Sequence, residues 1–276
     1  MAACPGHRDH TPSLAVSEAT NGTVLVKCFA GCSQETVISA LKDRGLWPNS
    51  RGEGWIGRQG RAPWRVASVG DAGALERIRA AREIWRKTVP PQGTLVETYL
   101  RSRGITIIPP SIRYAADLRH GPTGLTRPAL VAAIQAPDGS VTGVLRIFMT
   151  ANGRAKARVI QAKMMLGRIS GGAVRLAPMA RRLGLAEGIE NGLSIAQALP
   201  DLPVWCALSV GNIGNVVLPP LIREVVLFVD GDPSGSQAAE TAQKAADWIT
   251  SQGRHVSIAS PGEGRDFNKL LVRGAV

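Results

Sequence analysis

The chain has 276 residues, of which 44% are hydrophobic, so it is long enough for two packed domains and a small additional module. It carries 33 lysine and arginine residues against 21 acidic residues, and the formal net charge of +12 favours a polyanionic partner. No apolar run approaches membrane-spanning length and no secretory leader opens the chain, which excludes membrane and secreted classes and predicts a cytoplasmic protein.

The first predicted element is a small metal-binding module. A C-x2-H pair and a C-x3-C pair are formed by Cys4, His7, Cys28 and Cys32. Two close pairs of cysteine and histidine ligands suit a tetrahedral Zn²⁺ ion. Because the protein would fill all four positions, the site is expected to be structural rather than catalytic. Between the pairs, two short apolar runs flank Asn21 and Gly22, a strong hairpin signal. The alternatives are a disulfide or free thiols, and Cys206, in a separate apolar run, is interpreted as a buried thiol.

A linker and two helices are predicted next. Residues 48–70 are rich in Gly, Arg, Pro and Ser, a composition typical of flexible connections, so the metal-binding module and its following helix are predicted to cover residues 1–47. Apolar residues at helical spacing then predict a helix over 72–88 and another near 94–103.

A β-rich segment follows. After Arg127, two apolar runs of β-forming residues are joined by a Pro-Asp-Gly turn at 137–139. With the two helices before it, this segment predicts a mixed α+β subdomain over residues 71–180, followed by a last domain over residues 181–276.

The positive charge is concentrated in the middle of the chain. Residues 51–103 contain 11 basic and 5 acidic side chains, residues 104–180 contain 10 and 2, and residues 181–276 contain 8 and 10. A general bias toward arginine does not explain the slightly acidic last third. A basic flank beside an acidic domain favours binding of nucleic acid.

The most informative stretch is VVLFVDGDPSG at residues 225–235. An apolar run bounded by turn-forming residues predicts a buried strand, and the run ends in Asp230 and Asp232. In open α/β sheets the carboxyl ends of strands bind ligands, and converging carboxylates are ligands for a hard cation such as Mg²⁺.

Further acids follow similar apolar runs on either side. Upstream, a run ends in Glu187, with Glu190 close behind and a helical pattern after it. Downstream, a third run and a Gly/Pro loop precede Asp266. A metal held by such acids bridges phosphates during an in-line displacement, and a nearby carboxylate with a raised pKa can move the proton of a hydroxyl. Alternatively, single acids are solvated caps of turns and helices.

The order of these strands and acids resembles the Toprim domain, the catalytic module of bacterial-type primases, topoisomerases and some nucleases, over about residues 182–273. The resemblance implies a mostly parallel, Rossmann-like α/β sheet. It implies Glu187 as general acid/base, Asp230 and Asp232 as catalytic metal ligands, and Glu190 as a supporting acid. With Asp266 as a further acid, the implied ligand set for Mg²⁺ or Mn²⁺ is Glu187, Asp230, Asp232 and Asp266.

The rest of the chain resembles other parts of primases. The cysteine–histidine module is similar to the primase zinc ribbon, and about residues 127–178 are similar to the basic subdomain that precedes Toprim. The resemblance to the basic subdomain implies template and nucleotide contacts by Arg127, Arg146 and Lys163, with Lys156 and Arg158 as further candidates. The last motif departs from related mobile-element primases, because Lys269 stands where they usually carry an acid.

These observations predict a plasmid- or phage-type DNA primase that synthesises short primers on single-stranded DNA from nucleoside triphosphates, as part of DNA replication. Zn²⁺ would be structural and Mg²⁺ or Mn²⁺ catalytic. No P-loop motif occurs, so a separate replicative helicase is expected as partner. The alternatives are a Toprim nuclease that hydrolyses phosphodiesters, and a catalytically decayed single-stranded DNA-binding module of a mobile element. A topoisomerase ranks last, because Tyr99 and Tyr114 have no distinctive motif around them.

Overall fold

The computed structural model describes residues 3–7, 13–18, 24–44 and 72–274. The chain divides into two units, residues 1–61 and residues 62–276. The predicted linker at 48–70 lies outside the described residues, and the finer domain boundaries stay predictions. Among the described residues, no helix is both long and apolar enough to cross a membrane.

The first unit is a hairpin followed by a helix. Strands β1 (Leu14–Glu18) and β2 (Val24–Cys28) pair antiparallel. Helix α1 (Gln34–Asp43) begins after Ser33, whose hydroxyl accepts the Thr36 N–H at 3.2 Å and so satisfies one free donor of the first turn. The small core of this unit is formed by five buried side chains: Cys4, Leu14, Val26, Cys28 and Val37. The predicted hairpin is confirmed, while its Asn21–Gly22 turn lies outside the described residues.

The second unit begins with two helices and an antiparallel sheet. The helices are α2 (Ala72–Lys87) and α3 (Leu95–Arg101). The strands, in spatial order, are β3 (Ile112–Arg119), β4 (Thr126–Gln135), β5 (Val141–Phe148) and β6 (Lys163–Gly167). The predicted turn joins β4 to β5: Gly139 has φ +83°, and Asp138 accepts the Ser140 N–H at 2.9 Å.

A five-stranded sheet follows. Its strands are β7 (Val174–Arg175), β8 (Arg182–Ala186), β9 (Val204–Cys206), β10 (Glu224–Phe228) and β11 (His255–Ala259). The spatial order is β11-β10-β8-β9-β7, with only β7 antiparallel to its neighbour. The predicted mostly parallel α/β sheet is therefore confirmed.

Helices cover both faces of this sheet. They are α4 (Ile189–Ala198), α5 (Val210–Ile213), α6 (Gln237–Ser251) and α7 (Phe267–Val272). On one face, Leu227 packs in a core with Ala245 of α6. On the other, Phe228 packs in a core that also contains Leu193 of α4 and Ile147 of β5. This second core joins the two sheets and so positions the basic strands beside the acidic sheet edge.

Candidate active site

Glu187 and Asp230 lie at the same edge of the five-stranded sheet. Ala186 of β8 pairs with Phe228 of β10 in parallel register, and the Glu187 N–H donates to the Phe228 carbonyl oxygen at 3.1 Å. Both acids therefore follow the carboxyl ends of neighbouring parallel strands, which is where open α/β sheets bind their ligands.

The loop of the D-x-D motif is tied to the loop that precedes Asp266. The Gly231 N–H donates to the Arg265 carbonyl oxygen at 3.1 Å, and the Gly264 N–H donates to the Gly231 carbonyl oxygen at 2.7 Å. A Cβ on Gly231 would lie 1.9 Å from the Gly262 carbonyl oxygen. The centre of the motif therefore requires glycine, because two backbone segments approach closely there.

Burial and mutual repulsion raise the pKa values of the two central carboxyl groups, those of Glu187 and Asp230. Burial raises the pKa of Glu187, and the negative charge of Asp230 adds to the rise, although backbone N–H groups oppose it. Burial also raises the pKa of Asp230, with repulsion from Asp232 and Asp266. The buried Oε2 atom of Glu187 has no hydrogen-bond partner within the described part of the chain. Two such carboxylates suit a divalent cation, which would neutralise them.

Asn191, to which the sequence patterns assigned no role, holds Asp230. Its Nδ2 donates to the Asp230 Oδ1 atom, and its Oδ1 accepts the backbone N–H of Asn268 at 3.2 Å. Because the amide oxygen is committed to a backbone donor, the NH₂ group faces Asp230. Asn268 is itself fixed, since its Nδ2 donates to the Arg103 carbonyl oxygen at 2.8 Å and to the Ser194 hydroxyl at 3.0 Å. This chain of hydrogen bonds orients one oxygen of Asp230 and leaves the other for a cation.

The other two predicted ligands have different surroundings. Asp232 is exposed, and its backbone N–H donates to the Asp230 carbonyl oxygen at 2.9 Å. Asp266 caps α7 by accepting the Lys269 N–H at 2.7 Å, and its second oxygen lies 3.1 Å from the Lys269 ammonium. Lys269 therefore offsets the charge of Asp266. Glu187 and Asp230 are the best placed of these acids for a cation, and Asp266 lines the same cleft, whereas Asp232 stays a predicted ligand.

Acids and cations share one cleft of about 250 Å³. Its charged lining residues are Glu187, Glu190, Asp230, Asp266, Arg103, Lys156 and Lys163. Glu190 forms ion pairs with Arg103 and Lys156 of the preceding subdomain. Its carboxylate is therefore already occupied, which was not expected for a supporting acid of the metal site. The cleft can accommodate a ligand that carries both a metal ion and phosphate groups.

The three basic residues predicted to bind nucleic acid lie on two faces of the antiparallel sheet. Lys163 pairs with Ile147, which belongs to the core joining the two sheets, and it lines the cleft. Arg146 pairs with Val131, which belongs to the separate core on the α2 face. Arg127 lies four residues before Val131 on the same strand and shares that face. The structure thus brings only Lys163 of the three to the acids.

Two other cations reach the cleft. They are Lys156, which is a further candidate of the basic segment, and Arg103, to which no sequence pattern points. Arg103 follows the last turn of α3 and is surrounded by no recognisable motif, so no sequence signal marked it. Arg158, the other secondary candidate, is exposed.

The four predicted zinc ligands converge in the first unit. The ligand atoms of Cys4, His7, Cys28 and Cys32 all lie within 4.8 Å of one another. The Nδ1 atom of His7 lies 3.2 Å from the Cys32 sulphur and 3.9 Å from the Cys28 sulphur. Usual Zn–S and Zn–N lengths in a tetrahedron place ligand atoms about 3.5 to 3.8 Å apart, so these residues fit Zn²⁺. None of the cysteines forms a disulfide, which argues against that alternative, and Cys206 is fully buried as predicted.

The thiols of this cluster also favour a cation. Burial raises the pKa of Cys32 to about 11, and the neighbouring Cys28 and Cys4 thiols add to the rise. Burial also acts to raise the pKa of Cys28. Hydrogen bonds from the Cys32 and Ala30 backbone and from Ser13 outweigh this effect and lower the pKa to about 6. Several thiolates at this spacing repel one another, and a bound metal ion removes that cost.

Two protein families match the chain. Residues 182–275 match the Toprim domain family. Residues 75–176 match a family described as a domain of unknown function, DUF7146. A search of curated proteins found no match.

Solved structures of primases resemble the chain at low identity. The E. coli primase catalytic core is 16% identical, with a TM-score of 0.50, 72% of this chain covered and 75% of that one. The zinc-binding and RNA polymerase domains of the Aquifex aeolicus primase are 16% identical, with a TM-score of 0.46, 99% of this chain covered and 75% of that one. A DNA primase domain from Pseudomonas aeruginosa is 14% identical, with a TM-score of 0.48, 72% of this chain covered and 74% of that one. The predicted Toprim domain and primase-like fold are confirmed.

Proposed function

We propose that this chain, whose residues 182–275 are a Toprim domain, is a DNA primase-type nucleotidyltransferase that makes short primers on single-stranded DNA. The observation that carries the proposal is the joint position of Glu187 and Asp230. They follow adjacent parallel strands and share a cleft with three cations. A negative centre for a metal ion next to positive groups for phosphates is the arrangement that phosphoryl transfer requires.

The acids have separate roles in this proposal. Glu187 and Asp230, with Asp232 and Asp266 in support, would hold Mg²⁺ or Mn²⁺. The bound cation supplies charge neutralisation at the phosphate under attack. Glu187 would also take the proton of the attacking 3′-hydroxyl, because it lines the cleft beside Asp230 and its Oε2 atom has no hydrogen-bond partner among the described residues. Asn191 keeps Asp230 oriented throughout.

The positive charge of the middle of the chain supports the proposed polyanionic substrates. Residues 104–180 carry 10 basic and 2 acidic side chains, which supports binding of a single-stranded template and of nucleoside triphosphates. Lys163 lines the cleft and would contact phosphate groups there. Arg127 would serve the template on the other sheet face, whereas Arg146 is buried there and its Nη2 atom donates to the Met165 carbonyl oxygen at 3.2 Å. The Cys/His cluster holds Zn²⁺ in a ribbon that contacts the template.

The test is template-directed synthesis with the zinc-loaded protein, single-stranded DNA, labelled nucleotides and Mg²⁺ or Mn²⁺. Short new oligomers are expected, and Asp230→Asn should lower their yield about a hundredfold or more, because one of the two half-buried proposed ligands loses its charge. Asp247→Asn, an exposed acid on α6, is the matched control and should retain synthesis.

Other outcomes identify other functions. Template degradation that Asp230→Asn abolishes would mean a nuclease that uses the same acids. Binding of DNA without product under any nucleotide or metal would mean a decayed binding module. Unchanged primer synthesis by Asp230→Asn would contradict the assignment of the metal site.

A further inference from the structure

An arginine stands directly before each of three neighbouring strands of the five-stranded sheet. Arg254 precedes β11, Arg223 precedes β10 and Arg181 precedes β8, and these strands are adjacent in that order. The Arg223 N–H donates to the Arg181 carbonyl oxygen at 2.8 Å, and the His255 N–H donates to the Arg223 carbonyl oxygen at 2.9 Å. The parallel pairing thus continues to this end of the strands. The three residues form an arginine row with a spacing of about 4.8 Å, the usual separation of neighbouring strands.

The arginine row lies at the amino edge of the sheet, opposite the acids. Glu187 and Asp230 follow the carboxyl ends of β8 and β10, and each of these strands has five residues. At about 3.3 Å per residue, roughly 15 Å or more separates the row from the acids. A ligand that touches both edges must therefore be extended.

Two members of the arginine row are available to a ligand. Arg223 is exposed and forms no ion pair within the described part of the chain. Arg181 has a side chain that is 76% exposed, with its Nε atom 3.4 Å from the Glu224 carboxylate. Arg254 is instead held by the fold, because its guanidinium donates to two backbone carbonyl oxygens at 3.2 and 2.6 Å. Burial lowers the pKa of Arg254, and the nearby positive charge of Arg223 adds to the fall.

The amino edge is positive although the domain around it is slightly acidic. Residues 181–276 carry 8 basic and 10 acidic side chains, and four of the basic ones are the arginine row and Arg182, which begins β8. Glu224, and Asp201 in the loop before β9, offset two of these four charges. The positive charge left at this edge favours an anionic ligand.

Building on the function proposed above, we propose that the arginine row binds backbone phosphates of the single-stranded template beyond the cleft. A strand carries one negative charge per nucleotide, and guanidinium groups bind phosphate oxygens in a fork, so an extended strand meets several members of the row at once. At about 3.4 Å per nucleotide, roughly five nucleotides reach from one edge of the sheet to the other.

Two other anionic ligands are less suitable. A duplex is stiff over about 150 base pairs, so a path around the sheet from the acids to the row costs more for a duplex than for a single strand. An acidic protein segment has a similar charge. The template is favoured over it because the whole chain carries a net charge of +12, which suits a long polyanion better than a local acidic segment.

The test measures binding of a long oligothymidine, a duplex and polyglutamate to the full zinc-loaded chain by fluorescence anisotropy at several salt concentrations. The double variant Arg181→Gln, Arg223→Gln should bind oligothymidine about tenfold more weakly. Its slope of log affinity against log salt should be smaller by about 1.4, since each phosphate contact with a single strand contributes about 0.7. Glu224→Gln should strengthen binding about twofold, because it removes the acid that competes for Arg181.

Lys244 and Glu240 on exposed α6 form the matched control pair, at 3.6 Å. Lys244→Gln and Glu240→Gln should change the affinity for oligothymidine little. A loss in Lys244→Gln equal to that in the double variant would mean a general effect of net charge and would overturn the arginine row. Thermal unfolding of the double variant should match the wild type, because both substituted side chains are exposed.

The outcomes separate the arginine row from the proposed function. If the wild type makes primers but the double variant binds oligothymidine with wild-type affinity and salt dependence, the row is wrong and the primase proposal stands. If the wild type makes no primers but the double variant loses oligothymidine binding, the row stands and the primase proposal fails. Loss of duplex binding alone would overturn the choice of a single strand. Loss of polyglutamate binding alone would assign the row to an acidic protein partner and overturn the choice of nucleic acid.

Discussion

At the scale of single residues, four acids that look alike in the sequence have different physical states. Glu187 and Asp230 are half-buried, and burial raises the pKa of each. Asp232 is exposed, whereas Asp266 caps a helix and pairs with Lys269. Function is therefore expected to depend most on the two half-buried acids, since a cation recovers the most free energy where carboxylates are least solvated.

Removing the charge of Glu187 should stabilise the metal-free protein. Its folded-state pKa is raised, so the folded state binds a proton more tightly than the unfolded state does. Stability is then highest below the unfolded pKa and decreases as pH rises through the folded pKa. Glu187→Gln should raise the free energy of unfolding at neutral pH and have no such effect in acid, while primer synthesis is lost.

Chemical denaturation at several pH values without divalent cation measures this effect. Glu240→Gln on exposed α6 is the control, and its stability should differ little from that of the wild type at any pH. A lower stability of Glu187→Gln at neutral pH would show that the charge of Glu187 is compensated in the metal-free protein.

Asn191 gives a second prediction at this scale. Asn191→Ala removes the donor to Asp230 and the acceptor for the Asn268 N–H. Loss of a partner that orients a metal ligand typically lowers metal affinity 10- to 100-fold, so Mn²⁺ binding should weaken by about that factor. Mn²⁺ titration followed by electron paramagnetic resonance measures this affinity. The control is Asn215→Ala, because Asn215 follows α5 and its side chain donates, among the described residues, only to the backbone of that helix. Equal Mn²⁺ affinity in Asn191→Ala and the wild type would remove Asn191 from the site.

At the scale of elements, the site depends on a tight crossing of two loops. The Gly231 backbone is hydrogen-bonded to the loop before Asp266, and the Gly262 carbonyl oxygen occupies the space of a Cβ. Gly231→Ala must therefore displace one loop. We expect a loss of about 1–3 kcal/mol in stability and a large loss of primer synthesis.

The control for this prediction is Gly211→Ala, because a Cβ at Gly211 meets nothing within 4 Å. Thermal unfolding and the primer assay are measured for both variants. Wild-type stability and activity in Gly231→Ala would mean that the two loops separate easily, and the close approach would then not position Asp266.

At the scale of the whole molecule, the two units should respond differently to metal removal. Among the residues that the structure describes, the core of the first unit is small and includes Cys4 and Cys28, whereas the second unit has three larger cores. Structural zinc supplies much of the folding free energy of such small modules. A strong chelator should therefore unfold the first unit and leave the second folded.

Hydrogen exchange with mass spectrometry checks this by peptide. Peptides from β1, β2 and α1 should lose protection after chelation, while those from β8 and β10 keep it. The Cys32→Ser protein should behave as the chelated protein does and bind less than one zinc per chain. Protection of β1 and β2 that survives chelation would show that the hairpin folds without metal.

The sequence by itself determined the local features of this protein. Three of these features depend on neighbouring residues and could therefore be predicted: the strand before Asp230, the turn at 137–139 and the cluster of the four predicted zinc ligands. The tertiary structure decided which distant groups meet: Tyr99 and Glu190 are 91 positions apart, and Arg103 carries no local signal. It also separated Lys163 from Arg127 and Arg146 by sheet face, because pairing register and the packing of two sheets on one core set these positions.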